Sequence, residues 1–270
     1  MKKINYKNLF NVKNKNIVVI GGFGLIGREI VKAFSSLGSK VFILDYNIKH
    51  YNKNKKNFKN INYEFFDLKN ESHVKKNFNN FLNNIKKVDV FINLAYAHTE
   101  DWSKNNFKEA TYDTLKKNTE YQLVTTAWLS KCVANFMVKN KNPGSIINFG
   151  SIYGVVGQNL NMYKNTNMKE SITYSMVKGG IINLTKQMAS YYVKYNVRIN
   201  CISPGGILGP VVGLSKKQNK NFLKQYSNNV PMKRLGNPDE ICGAALFLGS
   251  QSSSYVTGIN LILDGGWLSI

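Results

Sequence analysis

The 270-residue sequence has no run of eighteen or more apolar residues, so no single segment is long and apolar enough to cross a bilayer as a helix. Its basic start, Met1-Lys2-Lys3-Ile4-Asn5-Tyr6-Lys7, is not followed by an apolar core or a small-residue cleavage site. A secretion signal is therefore not expected, and a cytoplasmic location is. Cysteine is scarce: Cys132, Cys201 and Cys242 are odd in number, widely spaced and set among apolar residues. That excludes a disulfide framework and a CxxC metal site, so buried thiols and no metal are expected. Acidic residues are also few, 15 against 37 basic, leaving a net charge of +22. Such an excess raises nucleic acid or a membrane surface as partners. The lysines, however, are scattered among asparagines, as in Asn52-Lys53-Asn54-Lys55-Lys56-Asn57, in a chain rich in Lys, Asn, Ile, Tyr and Phe. An AT-rich coding sequence produces that mix, so no specific nucleic acid and no membrane partner is expected. The field of the surface still favours anionic over cationic small molecules. No linker, internal repeat or long low-complexity tail divides the chain, which reads as one domain over residues 1–270 with a basic extension over 1–15.

Short apolar runs alternate with helical patterns. Ile17-Val18-Val19-Ile20 is a buried-strand run, Glu29 to Leu37 has helical spacing and stops at Gly38, and Val41 to Leu44 is a second strand ending in Asp45. Residues 47–60 read as a solvated loop or short helix. Further strands are expected at Tyr63 to Phe66, Val88 to Ile92, Ser145 to Phe149, Val197 to Ile202 and Ile259 to Leu263. Helices are expected at Val74 to Leu82, Thr111 to Val138, Tyr174 to Tyr195 and, after Pro238, Ile241 to Leu248. This alternation predicts an α/β fold: a doubly wound parallel sheet with helices on both faces.

Gly21-Gly22-Phe23-Gly24-Leu25-Ile26-Gly27 lies between the first strand and the first helix, where a doubly wound sheet places a phosphate-binding turn. Glycine lets the backbone approach a pyrophosphate closely, and the N–H groups of the helix start face its charge. A tight connection without a ligand is the competing reading; the strand before and helix after favour a dinucleotide. Asp45 ends the second strand 24 residues after Gly21, where a carboxylate accepts hydrogen bonds from the adenosine ribose. It would repel a 2′-phosphate, so NAD is expected over NADP.

Tyr174 and Lys178 stand four residues apart on one helix face. A free phenol titrates near ~10, and a neighbouring cation moves it toward neutral pH, where it can serve as acid and base. Ser151 follows a strand end and can donate to a substrate oxygen as charge develops there. Each residue alone has an ordinary reading, a surface pair or a turn serine.

Together with other marks, these residues resemble the short-chain dehydrogenase/reductase family, a single-domain Rossmann fold, from Ile17 to Trp267. The marks are the glycine turn, Asp67-Leu68, Asn93-Leu94-Ala95, Ser151, Tyr174 to Lys178, Ser203-Pro204-Gly205-Gly206-Ile207 and Asp264-Gly265-Gly266. The resemblance implies that Tyr174 is the acid/base, that Lys178 lowers its pKa and holds the nicotinamide ribose, and that Ser151 orients the reacting oxygen. It also implies a proton-relay role for Asn118, for which a helix-surface amide is the alternative. Cofactor contacts are implied at Gly21, Phe23, Gly24, Leu25, Ile26, Gly27 and Asp45, with Asp67 and Leu68 near the adenine. Asn93 and Ala95 would line the cleft, and Pro204, Gly205 and Ile207 approach the nicotinamide. Two departures stand out. Tyr96 replaces the glycine usual after Asn93-Leu94-Ala95, and Leu25 stands where the single-domain branch carries glycine.

Between Ser151 and Tyr174 lie 22 residues, a polar lid over 152–173 with Tyr153, Gln158 and Tyr163. With Tyr96, these are the expected substrate contacts, and residues 208–230 form a second lid segment. Hydrogen-bonding groups above a nicotinamide suit a polyhydroxylated or anionic substrate, where an acyl chain needs an apolar tunnel. The stretch from Gly150 to Val156 and the insertion after it are similar to dehydrogenases of bacterial surface-glycan and flagellin-modification pathways. A sugar or sugar-phosphate derivative is therefore the expected substrate. A 3-oxoacyl thioester reductase fed by an acidic carrier protein is the alternative enzyme, and a dinucleotide-binding protein without turnover is the alternative of another class. The resemblance further implies a homodimer or homotetramer formed through the helices at Thr111 to Val138 and Tyr174 to Tyr195.

Overall fold

A computed structural model describes residues 6–47, 61–210 and 218–270. Most of the expected loop at 47–60 therefore lies outside the described residues, including Asn52 to Asn57. So do residues 1–5 of the basic extension and 211–217 of the second lid segment.

In chain order the elements are β1 (Asn16–Ile20), α1 (Gly27–Ser36), β2 (Lys40–Asp45), β3 (Ile61–Phe65), α2 (Phe78–Asn84), β4 (Val90–Asn93), α3 (Tyr112–Thr119) and α4 (Thr125–Lys139). They continue with β5 (Gly144–Phe149), α5 (Ile172–Tyr192), β6 (Val197–Pro204), α6 (Lys220–Asn229), α7 (Cys242–Gly249) and β7 (Asn260–Leu263). All seven strands pair in parallel in the order β3-β2-β1-β4-β5-β6-β7, the doubly wound sheet that the alternation predicts. The sheet's order reverses at β1 and β4, and the register sets Ile20 beside Leu44 and Asn93, and Asn93 beside Asn148. The carboxyl ends of these strands thus share one edge, where such a sheet leaves a crevice for ligands.

Burial on both sheet faces explains why β1 reads as an unbroken apolar run. Val18 and Ile20 enter one core with Phe78, Phe91 and Leu129, while Ile17 and Val19 enter the other with Ile30, Phe34 and Leu248. Each such side chain contributes roughly 1.5–3 kcal/mol by leaving water. Helix α1 turns Ile30, Val31 and Phe34 onto the second core and ends before Gly38, whose φ of +82° suits the left-handed stop.

Two expected helices differ in detail. The segment from Thr111 to Val138 begins as predicted, with the Thr111 hydroxyl accepting the Thr114 N–H, but a π turn at Glu120–Val124 separates α3 from α4. A second π turn, His73–Asn77, precedes α2. Each inserts a residue into the ladder and so rotates the side chains that follow, which apolar spacing does not reveal. Part of the second lid segment is helical: α6 is capped by Asn219 and packs Phe222 and Tyr226 near Met162 and Trp267. Of the three thiols only Cys201 is fully buried; Cys132 and Cys242 are half-buried, and all three are free. Among the described residues no helix is long and apolar enough to cross a membrane, and no cluster of His, Cys, Asp or Glu could hold a metal ion.

Candidate active site

The glycine turn is shaped by what cannot fit in it. A Cβ at Gly21, whose φ is +76°, would lie 3.0 Å from the backbone N and Cα of Ala95. The turn after β1 therefore meets the Asn93 to Ala95 loop backbone to backbone. At Gly27 a Cβ would strike the Gly21 carbonyl, so the start of α1 closes tightly on the end of β1. Phe23 buries its ring against Tyr63, 5.5 Å between centroids, and its N–H donates to Asp45 Oδ2 at 3.0 Å. The other Asp45 oxygen accepts the Asn47 N–H at 2.9 Å. Asp45 is buried against the turn, not displayed on an exposed loop. A backbone cradle that excludes side chains, flanked by a carboxylate at the end of β2, fits a dinucleotide.

The residues around the cradle take defined places. Asn93 is buried and donates through its amide to Thr126, while its Oδ1 accepts the Ala95 N–H at 3.3 Å. The backbone N–H of Asp67 donates to His73 Nδ1, and the Leu68 side chain belongs to the core. Pro204 ends β6, Gly205 donates to the Leu263 carbonyl, and Ile207 bridges to Gly236. Leu25 finds its room at Gly209, where a Cβ would lie 2.5 Å from both Leu25 methyl carbons. One large and one absent side chain thus complement each other across the mouth of the turn. Gly209→Thr should therefore weaken NADH binding about tenfold through overpacking, and Leu25→Gly in that background should restore it. Fluorescence titration of NADH checks both, and equal affinity in Gly209→Thr and the parent would remove the pairing.

The second cluster lies at the end of β5. Ser151 is buried and caps the turn Ile152–Gly154, its hydroxyl accepting the Tyr153 N–H at 3.2 Å. Ser171 caps α5 by accepting the Tyr174 N–H at 3.3 Å, which sets Tyr174 in the first turn and Lys178 one turn later. Lys178 Nζ donates to the Phe149 carbonyl at 2.9 Å and so ties α5 to the end of β5. Gly154 completes this contact, because a Cβ there would meet the Lys178 carbonyl carbon at 2.5 Å. The chain thus brings Ser151, Tyr174 and Lys178 together at the sheet's carboxyl edge.

Burial brings the Lys178 ammonium down to about 8, with the Cys201 thiol acting the other way. The Tyr174 hydroxyl moves in the direction opposite to the expected one. Burial pushes it up, and a hydrogen bond with Ser151 pulls it back. The ammonium lies over the Tyr174 ring, 5.8 Å from its centroid, and the loss of water around the phenol sets the direction.

Asn118 is buried, which removes the helix-surface alternative. Its Oδ1 accepts the Thr99 N–H at 3.1 Å and its amide donates to Thr99 Oγ1 and the Thr114 carbonyl. The side chain thereby ties α3 to the loop after β4. In the lid, Gln158 acts as a crosslink: its amide donates to the Ser171 carbonyl and Ser175 Oγ, and its Oε1 accepts from Tyr163 Oη and the Ser171 N–H. Tyr153 faces Tyr174 edge to face at 6.5 Å. Tyr96 packs on Tyr174 at 5.5 Å, and His98 and Trp102 extend that wall, 5.2 Å apart. His98, Trp102, Gly209 and the π-turn Gln122 carry no local motif and join the site only through folding.

Sequence and structural comparison places the chain among known proteins. The family model described as enoyl-(acyl carrier protein) reductase, of the short-chain dehydrogenase/reductase family, matches residues 25–268. The chain is 30% identical to post-translational flagellin modification protein A of Campylobacter coli, over 95% of this chain and 99% of that one. It is 31% identical to a 3-oxoacyl-(acyl-carrier-protein) reductase of Chlamydia trachomatis, over 94% and 97% respectively. A short-chain dehydrogenase from Leptospira borgpetersenii, solved with bound NAD+, superposes with a TM-score of 0.82 at 31% identity, covering 99% of this chain and 98% of that one. With its parallel sheet, glycine cradle and clustered Ser151, Tyr174 and Lys178, the chain belongs to the short-chain dehydrogenase/reductase family of oxidoreductases.

Proposed function

We propose that this oxidoreductase is a cytoplasmic, NAD-dependent enzyme, one domain over residues 1–270, that interconverts an alcohol and a ketone on a sugar or sugar-phosphate derivative of surface-glycan biosynthesis. The observation that carries the reading is the convergence of Ser151, Tyr174 and Lys178 beside the glycine cradle. In this reading Gly21, Phe23, Gly24, Leu25, Ile26 and Gly27 hold the pyrophosphate and Asp45 the adenosine ribose. Asp67 and Leu68 flank the adenine, while Asn93, Ala95, Pro204, Gly205 and Ile207 line the nicotinamide half of the cleft. A bound nicotinamide supplies the carbon that gives or receives the hydride. The Tyr174 hydroxyl passes a proton to the substrate oxygen during reduction and takes it back during oxidation. Ser151 Oγ donates to the same oxygen, and the Lys178 charge favours the phenolate left behind. Asn118, buried in α3, is the proton-relay residue of this reading.

The similarity to a flagellin modification protein supports a sugar derivative. Similarity to a 3-oxoacyl reductase favours a second reading, reduction of a carrier-bound acyl thioester. A panel of sugars, sugar phosphates and acyl thioesters, assayed with NAD(H) and NADP(H), separates the two. Turnover of acyl thioesters alone would overturn the sugar reading. The resemblance also supports assembly as a homodimer or homotetramer, which light scattering of the purified protein tests.

Cofactor choice rests on Asp45. A buried carboxylate beside the ribose opposes a 2′-phosphate, and a like-charge juxtaposition costs several kcal/mol. Asp45→Ser should raise NADPH affinity relative to NADH by about tenfold or more, with a stability loss of about 1–2 kcal/mol from the weakened bonds to the Phe23 and Asn47 N–H groups. Dissociation constants of both cofactors for parent and variant decide it. An unchanged ratio would show that Asp45 only braces the turn.

A further inference from the structure

Lys178 is buried, and among the described residues no carboxylate is its hydrogen-bond or charge partner. Among the described residues, the Phe149 carbonyl faces it from the end of β5 and the Cys201 thiol from β6. Two tyrosine rings complete the set: Tyr174 from α5, 5.8 Å away, and Tyr96 from the loop after β4, 5.7 Å away. Both distances put the ammonium within cation–π range. Tyr96 is itself held from several sides. Its ring stands edge-on to Tyr174 at 5.5 Å and to Trp102 at 6.3 Å. Burial raises its hydroxyl.

We propose that Tyr96 is a positioning residue for Lys178: set edge-on to Tyr174 and Trp102, its ring supplies the second aromatic face that holds the buried ammonium beside Tyr174. The proposal rests on the reading of Tyr174 and Lys178 as the acid/base pair. It gives one unusual feature a purpose: a tyrosine stands where the family carries glycine.

The test is titration of the lysine itself. In protein labelled with ε-13C-lysine, the Lys178 resonance is identified by its loss in Lys178→Met and should titrate near 8 in the parent. Tyr96→Met keeps the site filled and dry but removes the ring, so the resonance should titrate about one pH unit lower. Tyr96→Phe keeps the ring and should stay within a few tenths. Tyr96→Leu serves as a second ringless variant should Tyr96→Met not fold. The acid limb of kcat/KM should rise by a similar amount in the ringless variants, because a less charged Lys178 favours the phenolate less. A titration in the ringless variants equal to or above that of the parent would overturn the proposal, as would an equal shift in Tyr96→Phe. Absence of alcohol or ketone turnover in the parent would instead overturn the proposed function, and the lysine titration is read independently of it.

Discussion

Tyr174→Phe is expected to lower kcat about 10³-fold while leaving NADH binding within a few-fold and the melting temperature within a few degrees. The first figure is the usual worth of a positioned acid/base. The other two follow from what the substitution keeps. The Tyr174 ring packs against Tyr96 at 5.5 Å and Tyr153 at 6.5 Å, and phenylalanine preserves both contacts. The lost group is the hydroxyl and its hydrogen bond with Ser151, which retains the Tyr153 N–H as a donor. Steady-state kinetics, NADH titration and thermal unfolding on one preparation separate the roles. Lost activity with intact binding and stability identifies the hydroxyl as the group that moves the proton. Equal activity in variant and parent would end the mechanism and leave a protein that binds a dinucleotide without this chemistry. A destabilised variant with lost binding would mean that the hydroxyl braces the fold.

The sheet was legible because its signals are local. Ile17 to Ile20 is apolar on every residue since both faces of β1 are covered, and Gly38 ends α1 by a backbone conformation that glycine adopts without strain. Ser151, Tyr174 and Lys178 are legible through the family resemblance, since a serine at a strand end and a tyrosine one helical turn before a lysine have ordinary readings on spacing alone. What was not legible depends on contacts between segments far apart in the chain. The π turn at Glu120–Val124, which buries Gln122, leaves the apolar pattern of the long helix intact. The room that Gly209 leaves for Leu25 joins positions with no spacing rule between them. The direction of the Tyr174 shift is not legible, because an i, i+4 ammonium is visible in sequence and the burial of the phenol is not. Gln158 and Tyr163 were expected to face a substrate as polar lid groups, and folding turns their hydrogen bonds toward each other and toward Ser171.

Lys178→Met should lose turnover by about 10²- to 10⁴-fold and, at neutral pH, gain stability. The gain follows from the position of its titration. In the folded chain the ammonium titrates at about 8, against 10.5 for an ordinary lysine. Below 8 the side chain is charged in folded and unfolded states alike, and the whole cost of burying the charge falls on the folded state. Between 8 and 10.5 the folded chain releases the proton first, so that cost is progressively relieved as pH rises. The gap corresponds to about 3 kcal/mol at pH 7. Methionine fills a similar volume without charge, but it leaves the Phe149 carbonyl without its donor, which costs about 1–3 kcal/mol at any pH. The net gain at pH 7 should therefore be about 1 kcal/mol, falling to zero or reversing by pH 10. Urea unfolding of parent and variant at the two pH values measures it. A difference that does not change with pH would mean that Lys178 is not held charged at a cost. A lysine that weakens the fold at pH 7 and whose loss lowers turnover by the expected factor would mark strain retained for the reaction.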